Sequence, residues 1–531
     1  MSWRRRVPAG LVALAGLAWA AAGASGAAAA APRAAAAAGP TSWTVYHGSP
    51  PGTGVAAPVT AVNTRAPVWT SPALDGDLYG EPLVFAGRVY VATQNDTVYA
   101  LSAATGAVAW SAHLGSPVPV SSLPCGNIMP TVGITGTPVI DPARGEIFVV
   151  ADEMVNGTPA HMLVGLATAT GKTEMTRDVD PPGADPAALL QRTGLTLDDG
   201  RVVFGMGGNF GDCASYRGRV IAAPEAGGKP RIFTVDAAGG QSQGAVWMGG
   251  AAPAVDGSGH VWVSVGNGSV DSPSQRFDHS DSVLELSPTM RLLQYFAPSD
   301  WASNNAQDLD LSTAPALLPD GQVIGAGKTR AVYLLDGAHL GGIGRQQATL
   351  GSACGDDIDG GIALAGMTVY LPCVSGIIAV RADQSPPALH LLWSSGTGGG
   401  PPILAAGLIW TIGQNGTLYG LDPATGAVRQ QASIGAVANH FPTPAVAGGL
   451  MLAAAARDVV AFAAPGPGAP APAVPTAPPG TAAPPSPAAS QPQPPASGGL
   501  PAVIIAGIVA GGLIVIGGLG WLLWRRATGH N

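Results

Sequence analysis

Ala100-Leu101-Ser102-Ala103-Ala104-Thr105-Gly106-Ala107-Val108-Ala109-Trp110 is the stretch that decides how this chain folds. An alternating apolar run ends at Thr-Gly and restarts as a second alternating run. That is the pattern of two antiparallel strands joined by a tight turn in which glycine tolerates positive φ. Gly420-Leu421-Asp422-Pro423-Ala424-Thr425-Gly426-Ala427-Val428-Arg429-Gln430 repeats the framework, and Gly165-Leu166-Ala167-Thr168-Ala169-Thr170-Gly171-Lys172-Thr173-Glu174-Met175 repeats it more loosely. Thr170 and Thr425 stand 255 residues apart, five steps of 51, so the repeating unit is about 50 residues long.

Within a unit the order is constant: a strand introduced by proline, a turn, a β-rich strand, a second turn, then the Thr-Gly hairpin. In the first unit these are Glu81-Pro82-Leu83-Val84, the run 87–92, and Thr97-Val98-Tyr99-Ala100-Leu101. A ring of four-stranded units leaves only short, protected edges, so the reading is all-β, a β-propeller over residues 41–463. The markers Pro82, Pro138, Leu195, Pro253, Pro315, Ala363, Pro402 and Pro444 count eight blades. Seven is the alternative, since the units around Leu195 and Ala363 match least. Trp43-Thr44-Val45-Tyr46 is expected to pair with the last unit, Thr443 to Ala463, and close the ring.

The rest of the 531 residues explains an odd composition: 47% hydrophobic but only 11% charged, against about 25% charged in ordinary soluble domains. A net charge of −8 leaves no basic footprint, which excludes nucleic acid as a partner. Residues 1–38 read as a signal peptide followed by an Ala-rich leader. Residues 464–499, almost all Pro, Ala, Ser, Thr, Gly and Gln, read as an extended disordered stalk. Residues 501–524 carry no charge and precede Arg525-Arg526, the pattern of a single transmembrane helix with a cytoplasmic tail at 525–531. Gly507, Gly511 and Gly518 could line a close-packed face for dimerisation. The expected placement is a single-pass protein of a bacterial cell membrane, its propeller outside.

Four cysteines in an exported chain imply disulfides, and three pairings are open. The reading expects Cys354 with Cys373, on nearby strands of one blade, and Cys125 with Cys213, on long loops. No Cys-x-x-Cys spacing exists, so no metal site is expected at them.

The Ala-Leu-x-Ala-x-Thr-Gly-x-x-x-Trp run at Ala100 to Trp110 resembles the repeat of the pyrroloquinoline-quinone (PQQ) type propellers, which include quinoprotein alcohol dehydrogenases and the outer-membrane assembly lipoprotein BamB. The resemblance extends over about 41–463. It implies that the repeat tryptophan docks on the neighbouring blade. Only Trp110 keeps that position, Met175 and Gln430 standing there in the other two copies.

Against the enzymes of that family, the resemblance implies three cofactor positions. Asn267, in Gly266-Asn267-Gly268, would be a calcium ligand; Asp310, with Asp308, would stand near the catalytic carboxylate; Lys328 would face the quinone. A carboxylate there serves as general base for an alcohol proton, and a cation polarises the quinone oxygens. The adjacent-cysteine disulfide of the dehydrogenases and a Cys-x-x-Cys-His haem motif are missing, and their Trp-Asp pair is blurred into Asp300-Trp301-Ala302-Ser303-Asn304. On their own, Asn267 and Asp310 read as turn residues and Lys328 as a solvated or strand-end charge. Asp356-Asp357-Ile358-Asp359-Gly360 reads as an acidic turn. The balance favours a membrane-anchored binding or scaffold module with no cofactor, recognising an envelope protein or glycan. The alternative is a PQQ- and calcium-dependent oxidoreductase acting on alcohols or sugars.

Overall fold

A computed structural model describes residues 42–466, apart from Ala238 and His440. The leader, nearly all of the stalk, the expected transmembrane segment with Gly507, Gly511 and Gly518, and the tail lie outside the described residues. Among the described residues no helix is long and apolar enough to cross a membrane.

Eight sheets of four or five strands form the blades, antiparallel throughout except where Phe296 and Ala297 pair in parallel with Gly342 and Ile343. Blade 1 starts with Leu83–Phe85 and continues through Arg88–Ala92, Thr97–Ser102 and Val108–His113. The first strands of blades 2 to 8 are Val139–Asp141, Thr196–Asp198, Ala254–Val255, Ala316–Leu317, Ala363–Ala365, Ile403–Ala405 and Ala445–Ala447. Seven of the eight markers immediately precede their first strand and Ala363 opens its own, so the eight-blade count holds and seven is excluded. First strands of blades 1 to 4 touch in succession, as do those of blades 6 and 7, which places the first strands innermost, around the propeller axis.

The repeat is visible in detail. The outermost strands Val108–His113, Thr173–Asp178 and Val428–Ser433 share one alternation of exposed and half-buried residues, the period of a sheet covered on one side. In each of these blades a bulge interrupts the pairing of third and fourth strands at the equivalent place, beside Leu101, Leu166 and Leu421. The turn glycines Gly106, Gly171 and Gly426 have φ of +71°, +72° and +70°, the region where a side chain is strained.

Those glycines also have a packing duty. A Cβ on Gly106 would lie 2.5 Å from the Trp69 ring, one on Gly171 2.5 Å from Trp110, and one on Gly426 2.5 Å from Trp393. Each indole Nε1 donates to a carbonyl of the same turn: Trp69 to Ala103 at 2.9 Å, Trp110 to Thr168 at 3.0 Å, Trp393 to Pro423 at 2.9 Å. The expectation that only Trp110 docks is therefore corrected. Trp69 and Trp393 do the same from blades 8 and 6, whose outer strands lack the Thr-Gly framework that would have flagged them.

Ring closure also differs from the expectation. The outermost strand of blade 8 is Trp69–Thr70, paired with Asp458–Ala463 in the register Trp69 to Ala461 and Thr70 to Val460. Trp43 to Tyr46 instead begins a segment that runs among the innermost strands. Trp43 exchanges two hydrogen bonds with Val84 of blade 1, at 2.8 Å each. Ile140 of blade 2 donates to Thr44, Val255 of blade 4 to Pro50, Leu364 of blade 6 to Thr53, and Leu404 of blade 7 to Gly54. Residues 43–56 thus fill the axial channel and tie five blades. Tyr46 stacks on His47 at 4.3 Å, and His47 is fully buried with its backbone N–H donating to Glu81.

Both expected disulfides are present, Cys125 to Cys213 and Cys354 to Cys373. Cys354 lies in the connection between blades 5 and 6, not on a strand as expected; Cys373 ends the second strand of blade 6.

Candidate functional site

Antiparallel pairing sends the connection into each first strand and the connection after each second strand to the same end of the propeller. At that end blade 1 turns with four residues, 93–96, whereas blade 4 uses 266–281 and the crossing from blade 4 to blade 5 uses 298–315. These long connections bring Asn267, Asp308, Asp310 and Lys328 together, although 61 residues separate the first from the last.

Lys328 Nζ lies 2.6 Å from Asp310 Oδ2 and 3.2 Å from Asp308 Oδ1. The Asn267 side-chain amide donates to Asp308 Oδ1 at 3.3 Å, and its backbone N–H donates to Asp310 Oδ1. Asp310 is 2% exposed and Asn267 7%, so the reading of these two as plain turn residues is corrected. The Lys328 side chain is only 23% exposed and doubly paired, so it is not a solvated charge. Burial works against the Lys328 charge, yet the Asp310 and Asp308 carboxylates outweigh it and move its pKa upward.

The flanking glycines are needed for this approach. A Cβ on Gly266 would lie 2.9 Å from Asp310 Oδ1, and one on Gly268 would overlap the Asp278 carboxylate. A buried polar network fixes the loops. Asp281 accepts from the Leu311 N–H at 3.0 Å and from the Asn304 amide at 2.6 Å. Asn305 accepts from the Gly268 N–H at 2.9 Å and donates to Val270 O and Ser280 Oγ. The blurred Trp-Asp stretch is the short helix Trp301–Asn305 that carries both asparagines.

Two acidic groups join the site that the sequence did not single out for it. Asp359, buried, is pushed up to about 6 by desolvation, which Ser312 and Lys328 partly offset. Asp212, hydrogen-bonded by Tyr216 at 2.7 Å, is raised by burial and feels Asp310, Asp308 and Lys328. The Cys125–Cys213 disulfide therefore anchors its loop beside the site. Outside the buried cluster a cleft of about 450 Å³ opens, lined by Asp300, Asn304, Lys328, Arg330, Asp356 and Asp357. The acidic turn at 356–357 is thus a wall of the cleft.

The donor set suits a hard cation. Asn267 Oδ1 is buried with no hydrogen-bond partner, an oxygen left over once its amide is used, and carboxylate oxygens stand beside it, the ligand type that calcium takes. One further group of potential ligands, Asp256, His260 and Glu285, lies in blade 4. Its atoms are already engaged: Trp262 donates to Asp256 at 3.0 Å, His260 lies 2.6 Å from Glu285, and Gln294 donates to Glu285 at 2.6 Å.

The family description "Outer membrane protein assembly factor BamB" matches residues 36–275. A polyvinylalcohol dehydrogenase of Sphingopyxis sp. (strain 113P3) is 27% identical over 369 residues, 60% of this chain and 51% of that protein. The chain thus spans about half the length of the curated relative it matches. Among solved structures, the quinohemoprotein alcohol dehydrogenase from Comamonas testosteroni superposes with a TM-score of 0.59 at 14% identity, covering 80% of each chain. A europium-containing methanol dehydrogenase superposes with a TM-score of 0.58 at 14% identity, covering 80% of this chain and 98% of that one. At such identity these two speak for the fold. The expectation of a non-catalytic scaffold is overturned: the sequence relative is a dehydrogenase, and the partial site on which that expectation rested is assembled in three dimensions. The expectation of no cofactor loses its support with it. The repeat framework, the eight blades and these matches make the described domain an eight-bladed β-propeller similar to those of the PQQ-type repeat family.

Proposed function

We propose that the protein is a PQQ- and calcium-dependent oxidoreductase acting on alcohols or sugars, with the Asn267, Asp308, Asp310 and Lys328 cluster as its centre. The observation that carries this reading is the convergence of those four side chains, with Asn267 Oδ1 buried and unpartnered beside two carboxylates and an ammonium.

Asn267 Oδ1 and the neighbouring carboxylate oxygens would hold the cation, and Lys328 would face the quinone oxygens. When bound, the quinone supplies the acceptor for the two electrons and hydrogen leaving the carbinol carbon, and calcium polarises it. Asp310 takes the proton of the substrate hydroxyl. Burial raises its pKa and the Lys328 ammonium opposes that rise, which moves the carboxylate in the direction a general base at neutral pH requires. The Asp281, Asn304 and Asn305 network holds the two loops so that base and cation ligand keep their separation. The polar cleft outside offers hydrogen bonds to a hydroxylated substrate, in keeping with a relative named for polyvinyl alcohol. The propeller is placed outside the membrane in this reading, on the stalk and span expected from residues 464–524.

The test is dye-linked oxidation by the full chain reconstituted with PQQ and calcium, using polyvinyl alcohol, a small secondary alcohol and glucose as substrates. Turnover with at least one is expected, and Asp310→Asn should lower kcat by about 10²–10⁴-fold while PQQ stays bound. Stoichiometric PQQ with no turnover on any of the three would refute the reading.

A further inference from the structure

Asp96 is buried without a partner. It ends the short turn 93–96 of blade 1 with 0% of the residue exposed, and neither carboxylate oxygen has a hydrogen-bond partner. Among the described residues no basic side chain lies within 4.0 Å of it. The imidazoles of this region face other groups: His161 stands 3.4 Å from Asp152 and 2.6 Å from Asp180, and His113 meets the Thr97 hydroxyl at 3.0 Å. Buried carboxyl groups are ordinarily paired or bound to a metal, because leaving them bare is costly. Burial, and after it the carboxylates of Asp152, Glu153 and Asp75, push the pKa of Asp96 up to about 10, which the Ile134 N–H offsets only in part. Gln94, two residues earlier and 4% exposed, has a similar deficit. Its amide nitrogen donates to Met129 O at 2.9 Å, and its Oε1 is left buried with no donor.

The space around the turn is as informative as the missing donors. A Cβ on Gly133, in the connection into blade 2, would overlap Gln94 O and lie 2.6 Å from Asp96 Oδ1. Both oxygens thus border one point, within reach of a single cation whose oxygen ligands stand at about 2.3–2.6 Å. Leu114 N–H donates to Asp96 O at 2.9 Å, and a Cβ on the next residue, Gly115, would overlap Glu153 Oε2, so blade 2 brings a further carboxylate to this place. One proton on Asp96 can be given to one acceptor and leaves the other oxygens as they are; a cation serves them together. The donors are carboxylate and carbonyl oxygens, the set that calcium takes, and the surrounding Asp152, Glu153 and Asp75 favour a divalent ion over a monovalent one.

We propose that Asp96 and Gln94 form a structural calcium site between blades 1 and 2, separate from the Asn267 cluster. The Asp96 carboxylate and the main-chain and side-chain carbonyl oxygens of Gln94 bind the ion, and Asp152 and Glu153 add negative charge around it. The ion ties the turn 93–96 to the connection 114–138. That connection carries Cys125, whose disulfide to Cys213 anchors the Asp212 loop. The site stiffens the frame and takes no part in the chemistry.

The experiment counts calcium on the full chain by equilibrium dialysis after chelation and follows thermal unfolding with and without the ion, sodium serving as control. The parent is Asn267→Ala, so that the cation proposed for the catalytic centre does not contribute. The parent should retain a single calcium and gain about 3 °C in Tm at a calcium concentration a hundredfold above Kd. Adding Asp96→Asn should abolish both, while the calcium-free Tm stays the same or rises, because a neutral amide replaces a bare buried carboxyl. Adding Gln94→Leu instead keeps the carboxylate and should weaken calcium about tenfold. The same calcium and the same gain with Asp96→Asn, no calcium on the parent, or an equal gain from sodium would overturn the site and leave Asp96 as a protonated group. These readouts involve neither PQQ nor turnover, so the function proposed above stands or falls separately.

Discussion

Blades 1, 2 and 7 and blades 4 and 5 solve different problems with the same sheet. In the first group the chain spends its residues on repetition: one exposure pattern in the outer strands, one bulge, one left-handed turn glycine, and an indole from the preceding blade on that glycine. In the second group the Thr-Gly turn is absent and residues 266–281 and 298–315 carry a network of Asp, Asn and Ser side chains. The contrast shows how a modular ring accommodates chemistry. The repeated blades supply a rigid frame, and the long connections of two blades outside that repeat hold charges at the end of the ring opposite the docking turns.

The contrast breaks first at the ion pair. Lys328→Met leaves the buried Asp310 carboxylate without its partner and should destabilise the protein by about 3–5 kcal/mol, read from urea unfolding. Adding Asp310→Asn should recover a large part of that loss, because the cost lies in the stranded charge. No recovery in the double variant would mean that the two side chains act separately.

On the regular side, Trp110→Ala and Trp393→Ala should each cost about 3 kcal/mol, the lower range for truncating a packed indole, with little effect on PQQ affinity. A large and specific loss of PQQ binding in either would erase the division between frame and site.

The axial segment offers a pH handle that belongs to the frame. Burial lowers the pKa of His47 to about 4, so the folded protein takes up its proton only near that pH, whereas an unfolded histidine does so near 6.5. Stability attributable to His47 is complete above about pH 6.5 and falls by roughly 3 kcal/mol as pH drops to about 4. Glu81, raised by burial, pulls in the opposite sense. The comparison is therefore with His47→Gln, whose stability curve should be flatter between pH 6.5 and 4. Parallel curves would show that His47 is protonated in the folded state.

The smallest difference separates the two disulfides. Cys125–Cys213 closes a separation of 88 residues and Cys354–Cys373 one of 19. The loop-entropy account makes the first worth about 1 kcal/mol more. Paired Cys→Ser variants compared by urea titration measure it, and a larger cost for Cys354–Cys373 would contradict the ordering.

Much of this was readable in the sequence because repeats turn position into geometry. Markers such as Pro82 and Pro444 repeat with the blade, so counting them counted blades. Resemblance to the quinoprotein enzymes, not blade regularity, singled out Asn267, Asp308, Asp310 and Lys328 before any contact was visible. What local pattern could not convey was pairing across the ring. Trp43-Thr44-Val45-Tyr46 alternates like a strand, but it pairs with the innermost strands of blades 1 and 2 and not with the last unit. Trp69 and Trp393 lie outside the Thr-Gly framework, and their docking turns belong to other blades. Lys328 read as solvated because a lone lysine after a strand usually is; its two carboxylates arrive from the long connection that leads into the same blade.

The most direct measurement is a crystal structure of the protein soaked with PQQ and calcium. The expected result is quinone density against Lys328 with the cation on Asn267 Oδ1. A folded propeller whose density at that end is unchanged, or whose quinone sits against the regular blades, would contradict the account.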